Sequence, residues 1–259
     1  MIEALTMSGS RLKLIGQQRF IGSGTYEFTV PLGVTSISGV AVGQAASISG
    51  GGAGGLSWRN NIPVTPGEKL TVTIGIQTAS PVATSLMRGS TILLVAGGGN
   101  GKTGGLGGKN INAINDGGGN GGNGGTGTWP GGGGAGGYSG NGGNGANGST
   151  PADGNGTAGT GGGGGGGAGY WIGGGGGVGL DGEGASGVGG IGQANNTLNG
   201  GRGGSGGRNG GNYQTWAGEQ TTAQQGGIYG GAPNGQGSMK LLWGGDRSYP
   251  TNAADIIVP

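Results

Sequence analysis

Residues 92–105, ILLVAGGGNGKTGG, carry the letters of a phosphate-binding loop. An apolar run leads into glycines and then Gly101-Lys102-Thr103, with Ala96 where a relaxed form of the pattern admits Ala or Gly. In such a loop, backbone amides and the lysine surround phosphate oxygens, and a helix N-terminus completes the anion site. Here Thr103 is followed by GGLGGKNINAINDGGG, which is too glycine-rich to begin a stable helix. No clear second apolar strand ends in a Mg²⁺-binding Asp. The run reads instead as a β-strand leaving a sheet, with Gly97 opening the glycine-rich chain and Lys102 a solvated side chain.

The remaining polar chemistry is sparse. GGVGLDGEG (176–184) matches one calcium-binding nonapeptide, but such repeats act in tandem, and Glu183 stands where that pattern needs an apolar residue. Asp181 and Glu183 are therefore only weak candidate cation ligands, and neither a metal nor a cofactor is expected. Asp116, Asp153 and Asp181 are scattered, with no spacing that demands a carboxylate pair. With no nucleophile elbow and no triad, the chain is not expected to be an enzyme. The aromatics say more. Trp129, Tyr138, Tyr170, Trp171, Tyr213, Trp216 and Tyr229 interrupt chain that otherwise lacks large side chains. They are candidates for receptor contact, since Trp and Tyr dominate contact energy at interfaces; packing within or between subunits is the competing use. Trp129-Pro130 and Tyr170-Trp171 read as turns, and NYQTWAGEQTTAQQ (212–225) as the longest candidate recognition loop.

Composition sets the frame for these residues. Of 259 residues 82 are Gly, and 65 of those fall between Gly97 and Gly237. Nine prolines cannot supply the Gly-X-Y pattern of collagen. There is no Cys and no His, which removes disulfides, thiol chemistry and the commonest general base. Twelve scattered Lys and Arg and a net charge of +2 make no nucleic-acid-binding face. No apolar run approaches the ~20 residues of a membrane span, and the first 19 residues lack the apolar stretch of a signal peptide.

Between residues 20 and 96, TYEFTVP, VTSISGVAV, LSWRNNIPV, KLTVTIGI and STILLVA read as strands rich in β-branched and aromatic residues, punctuated by Pro-Leu-Gly and Thr-Pro-Gly-Glu turns. Leu70, Val72 and Ile74 point to one face, Thr71 and Thr73 to the other. SMKLLW (238–243) is a further apolar strand beyond the glycine region, and it needs a partner. The expected fold is an all-β sandwich or jelly-roll-like domain with a glycine-rich insertion before its last strand and essentially no α-helix. The expected division is an attachment segment (1–20), a β-domain (21–96 with 237–245), a glycine bundle with variable loops (97–236) and a tail (246–259).

The insertion has a period of three. From Gly118 it reads GGN GGN GGT GTW PGG GGA GGY SGN GGN GAN, placing Asn120, Asn123, Thr126, Trp129, Ala135, Tyr138, Asn141, Asn144 and Asn147 in one register. Three residues per turn belong to an extended left-handed helix without internal hydrogen bonds. Its amides and carbonyls must pair with neighbours, which glycine permits by allowing close approach. The expected result is a polyglycine-II bundle with the non-glycine residue of each turn facing outward.

TYEFTVPLGVTSISGVAVG, GGGAGGLSWRNNIPVTPGEKLTVTIG and TSLMRGSTILLVAGGG, closed by GSMKLLWGGDRSYPTN, resemble a glycine-rich domain of tailed-phage virion proteins, especially of marine and cyanobacterial phages. The resemblance spans roughly residues 20–252. The middle is also similar to the polyglycine region of the receptor-binding adhesin capping long tail fibres of some T-even phages, although the N-terminal part does not resemble that adhesin's attachment domain. The resemblance implies a virion protein, at a fibre tip or as a head or neck appendage, that recognises a protein or glycan receptor on the host through loops on a rigid scaffold. It also implies contacts with other virion proteins through residues 1–20 and the β-domain, and a homotrimer or a cap on a trimeric fibre. A reading of another class is ice binding, because glycine-rich bundles also occur in springtail antifreeze proteins.

Overall fold

The computed structural model describes residues 14–75, 82–148, 154–169, 173–192, 200–207, 209–210, 235–245 and 247–254. Among the described residues, eight strands form two antiparallel four-stranded sheets: β1 (Gly16–Ile21), β8 (Ser238–Trp243), β3 (Ser36–Val42) and β4 (Leu56–Pro63) in that order, and β2 (Gly24–Thr29), β5 (Lys69–Ile74), β6 (Thr84–Arg88) and β7 (Thr91–Ala96) in that order. The fold is thus the expected all-β sandwich. Among the described residues the one helical element is a 3-10 turn at Gly108–Asn110.

The turn chemistry acts as its residues require: Gly33 and Gly67 take φ of +83° and +80°, conformations that cost glycine little. Leu70, Val72 and Ile74 are buried while Thr71 faces out. They join Phe20, Phe28, Ile37, Leu86, Leu94, Met239 and Leu241 in the core between the sheets. β8 lies in the middle of its sheet, pairing with β1 on one side and β3 on the other, so the chain closes the sandwich only after traversing the glycine region. Residues 1–13 of the expected attachment segment 1–20 lie outside the described residues, and residues 16–20 belong to β1. Polar GQQRFI gave no strand signal, and β1 is an edge strand whose described strand partner is β8.

The β8 sheet is covered on both faces. Val40, Val42, Leu56 and Leu242 point away from the sandwich core into a second cluster with Ala135, Tyr138, Val178, Leu180, Tyr249 and Ala253. That cluster docks the glycine region and the C-terminal residues onto the sandwich. It also explains why β3 is buried at every position after Ser36 rather than alternating.

The glycine region is a stack of extended segments joined by backbone hydrogen bonds, and its bonding repeats every three residues in three directions. Gly121 and Gly124 donate to Gly105 and Lys102; Gly122 and Gly125 donate to Gly134 and Gly131. In the third direction Asn120, Asn123 and Thr126 donate to the Oδ1 atoms of Asn141, Asn144 and Asn147 at 2.8–2.9 Å. Asn141 and Asn144 in turn donate to the hydroxyls of Thr160 and Thr157. At the outer boundary a side-chain oxygen thus accepts the N–H that has no neighbouring backbone to bond.

The run of seven glycines, 161–167, lies at the centre. It bonds to segments on every side: Ala135 and Gly132, Gly143 and Ala146, Thr157, Gly176, Gly187 and Gly190, and Arg202. No direction is free for a side chain; a Cβ on Gly164 would sit 2.1 Å from the Gly176 carbonyl oxygen. The boundary segments 118–126 and 139–148 carry one Asn or Thr per turn, the boundary segment 184–192 exposes Val188 and Ile191 instead, and the enclosed run 161–167 carries no side chain.

Two features depart from the sequence reading. The stack includes residues 50–55, from the loop between β3 and β4: Ala53 donates to Gly122, and Gly133 and Gly136 donate to Gly51 and Gly54. And not every residue of the triplet register faces out. Ala135 and Tyr138 are buried, because the segment 130–137 is enclosed by neighbours and ends beneath the β8 sheet.

Candidate functional site

The phosphate-loop letters form a tight turn. Asn100 and Thr103 exchange both backbone hydrogen bonds at 2.9 Å, and Gly101 has φ +57°, as a two-residue hairpin turn with glycine first requires. The chain after Thr103 joins the glycine stack, so no helix N-terminus faces a phosphate. Lys102 reaches the surface, as expected, but is tethered there. Half-buried, it donates from Nζ to the Ser49 carbonyl at 2.7 Å, and desolvation lowers its pKa from the ordinary lysine value.

The acidic candidates are engaged structurally. The Asp181 carboxylate accepts from Arg19 Nη2 and from Lys240 Nζ, both at 2.5 Å. Two cationic groups already share it, so a metal ion there would face their repulsion. Glu183 accepts from the Ser139 hydroxyl at 2.6 Å. Asp116 accepts from the Asn60 amide, within β4, at 2.7 Å. Asp153 lies outside the described residues. Among the described residues no three His, Cys, Asp or Glu side chains converge as a metal site would need.

Of the aromatic candidates, the structure places two. Tyr138 is 1% exposed, which overturns its assignment as a receptor contact. Its hydroxyl donates to the Gly179 carbonyl and accepts from the Gly182 amide, and its ring stacks on Tyr249. Burial raises the pKa of both phenols. Trp129 is 41% exposed and sits in the turn after the segment 117–126. Tyr170, Trp171, Tyr213, Trp216 and Tyr229 lie outside the described residues.

The segments alternate in direction, so their connections fall at two ends. The end beside the sandwich holds the connections at 138–140, 160–162, 179–183 and 205–207, and it contributes to the second cluster. The far end holds the turns 47–50, 100–103 and 127–130. It is also the end at which the described chain stops at Gly148, Gly169, Gly192 and Gly210 and resumes at Gly154, Gly173 and Gly200. Trp129 stands there with Ile48, 46% exposed. Beside it, Gly50 is where Pro130 and Lys102 converge: a Cβ at Gly50 would lie 2.6 Å from the proline ring and 3.0 Å from Lys102 Nζ. Sequence reasoning missed Ile48 and assigned Lys102 to solvent. The one available signal was the glycine-rich stretch 50–55, which is too short to show the triplet period.

No family model matches the chain, and no curated protein or solved structure is significantly similar to it.

Proposed function

We propose that this chain is a virion protein of a tailed phage, a tail-fibre tip or receptor-binding adhesin, in which the glycine segments are polyglycine-II helices forming a rigid bundle. The β-sandwich and the residues before Gly16 attach it to a fibre or to two further copies. The connections at the far end contact a protein or glycan on the host surface without catalysis. Trp129 is the described aromatic contact, and Tyr170, Trp171, Tyr213, Trp216 and Tyr229 are the others. One observation carries this reading: the described segments that end at Gly148, Gly169, Gly192 and Gly210 all end on the side of the stack opposite the sandwich, where Trp129 and Ile48 are exposed. Many copies acting together make weak individual contacts sufficient.

Fluorescently labelled protein is expected to bind host cells, and antibodies against it to block infection; failure of both overturns the adhesin. Locating the chain in a virion map distinguishes a fibre tip from a head or neck appendage. The regular rows Asn120–Asn141–Thr160 and Asn123–Asn144–Thr157 favour a second reading, ice binding, for which thermal hysteresis is the measurement. Those rows are polar, whereas an ice-binding face needs apolar character as well.

A further inference from the structure

We infer that the far end of the stack carries a contact site for an anionic saccharide, formed by Lys102, Trp129 and Ile48 around Gly50. The inference rests on the adhesin reading and names the ligand class of that site.

The turns 47–50, 100–103 and 127–130 meet at Gly50. A side chain there would collide with Pro130 and crowd the Lys102 ammonium, and its φ of +58° also favours glycine. The hydrogen bond to Ser49 uses one of the three Lys102 N–H donors and fixes the ammonium at the surface. Two donors remain for a ligand. Because this ammonium is already partly stripped of water, an anion brought to it meets less solvent screening than at an extended surface lysine.

The exposed surface of Trp129 and of Ile48 supplies apolar contact in the same group of turns. A sugar ring offers the matching surface, a C–H face that packs on an indole with hydroxyls at its rim. The charge distribution selects an acidic sugar. The described carboxylates of the glycine region, Asp116, Asp181 and Glu183, lie at or near the sandwich end and are engaged there. Lys102 stands at the far end. An open surface with one fixed cation and apolar neighbours fits a carboxylated or phosphorylated saccharide better than a nucleotide, which would need an enclosing loop and a helix end.

The test is titration of the ¹⁵N-labelled full-length chain with oligogalacturonate, its methyl ester, and phosphorylated mannan fragments. At least one acidic probe is expected to shift the Trp129 indole and the Gly50 and Gly101 amides, with weakening as salt rises from about 0.05 to 0.5 M. The methyl ester should bind about tenfold or more weakly. Lys102→Gln should weaken the acidic probe by about fivefold or more with an unchanged melting temperature, and Lys102→Arg should retain it. Equal binding of the ester and the acid overturns the inference, as do shifts confined to another surface, an unaffected Lys102→Gln or no binding of either acidic probe. A cell-adhesion assay separates the two readings. Wild-type adhesion that Lys102→Gln and Trp129→Ala leave intact overturns this site but not the adhesin; absence of wild-type adhesion overturns the adhesin itself.

Discussion

Tyr138, from the glycine stack, and Tyr249, from the C-terminal residues, lie nearly parallel, their ring centroids 6.0 Å apart and their planes inclined by 15°. The pair fastens the C-terminal residues to the stack beneath the β8 sheet, with Asn60 exchanging two hydrogen bonds with the Tyr249 backbone. Of the expected tail, 246–259, the described residues 247–254 are docked onto the fold.

Both phenols are protonated in the fold, and burial raises their pKa values. A raised folded-state pKa means that the folded chain holds its proton more tightly than the unfolded chain. The resulting stability is fully present below the unfolded phenol pKa of about 10 and is lost as pH rises toward the folded value. Denaturant melts are expected to show falling stability above about pH 10. Tyr138→Phe should flatten that fall while costing about 1–3 kcal/mol at neutral pH, because the Gly179 carbonyl and Gly182 amide lose their partner. An alkaline fall that Tyr138→Phe and Tyr249→Phe leave unchanged would refute the assignment.

Lys240 is 0% exposed and is held by the half-exposed Asp181 and by the Ala253 carbonyl. Removing Asp181 takes the counter-charge from a buried ammonium that keeps the Ala253 carbonyl, whereas replacing the lysine by an apolar residue of similar length removes the need for a counter-charge. Asp181→Ala is expected to cost about 1–3 kcal/mol, and more than Lys240→Met does. The double variant should recover part of the loss. Chemical denaturation of the three variants checks the order; Lys240→Met costing more than Asp181→Ala would reverse the argument.

Glu68 and Arg88 join the turn before β5 to the end of β6. The hydrogen bond from Arg88 holds the Glu68 pKa below the ordinary carboxyl value, with a smaller opposing effect of desolvation. A lowered folded pKa gives stability that is present above the unfolded value and lost as pH falls through the folded one. Partial exposure of both side chains keeps the effect small. Melting temperature should fall slightly less between about pH 4.5 and 2 in Arg88→Met than in the wild type; a steeper fall in the variant would contradict this.

The parts of this fold that were legible in sequence are those where one residue type has one physical job. Leu70, Val72 and Ile74 alternate with Thr because one face is buried, and Gly33 and Gly67 mark turns because their φ is positive. Asn120, Asn123, Asn141 and Asn144 recur every three residues because only one direction per turn lacks a neighbour. β1 and β6 were not legible: GQQRFI and TSLMR are short and mixed, and partner strands rather than their own patterns define them. Residues 50–55 span only two triplets, too few to show the period. Tyr138 shares the register of the outward asparagines yet is buried, since periodicity within one segment cannot reveal which direction its neighbours occupy. For the candidate site, Trp129 was legible as an aromatic at a turn, but the approach of Lys102 and Pro130 at Gly50 depends on three turns far apart in sequence.

The stack makes a sharper prediction about glycine itself. At Gly164 an added methyl group would meet the Gly176 carbonyl oxygen at 2.1 Å, and the segment is enclosed on all sides, so relief requires moving rigid backbone rather than rotating a side chain. Overpacking of ordinary cores costs about 1–3 kcal/mol, and this case should exceed it because many backbone bonds share one spacing. At the boundary, Asn123 accepts from the Gly104 amide at 2.9 Å in an exposed position where water can replace the side chain. Asn123→Ala should therefore cost at most about 1 kcal/mol. Gly164→Ala should lower the melting temperature far more and abolish slow hydrogen exchange across the amides of 163–167, while β5 remains protected if the sandwich folds. Equal destabilisation by the two substitutions would mean that close backbone approach does not hold the stack together.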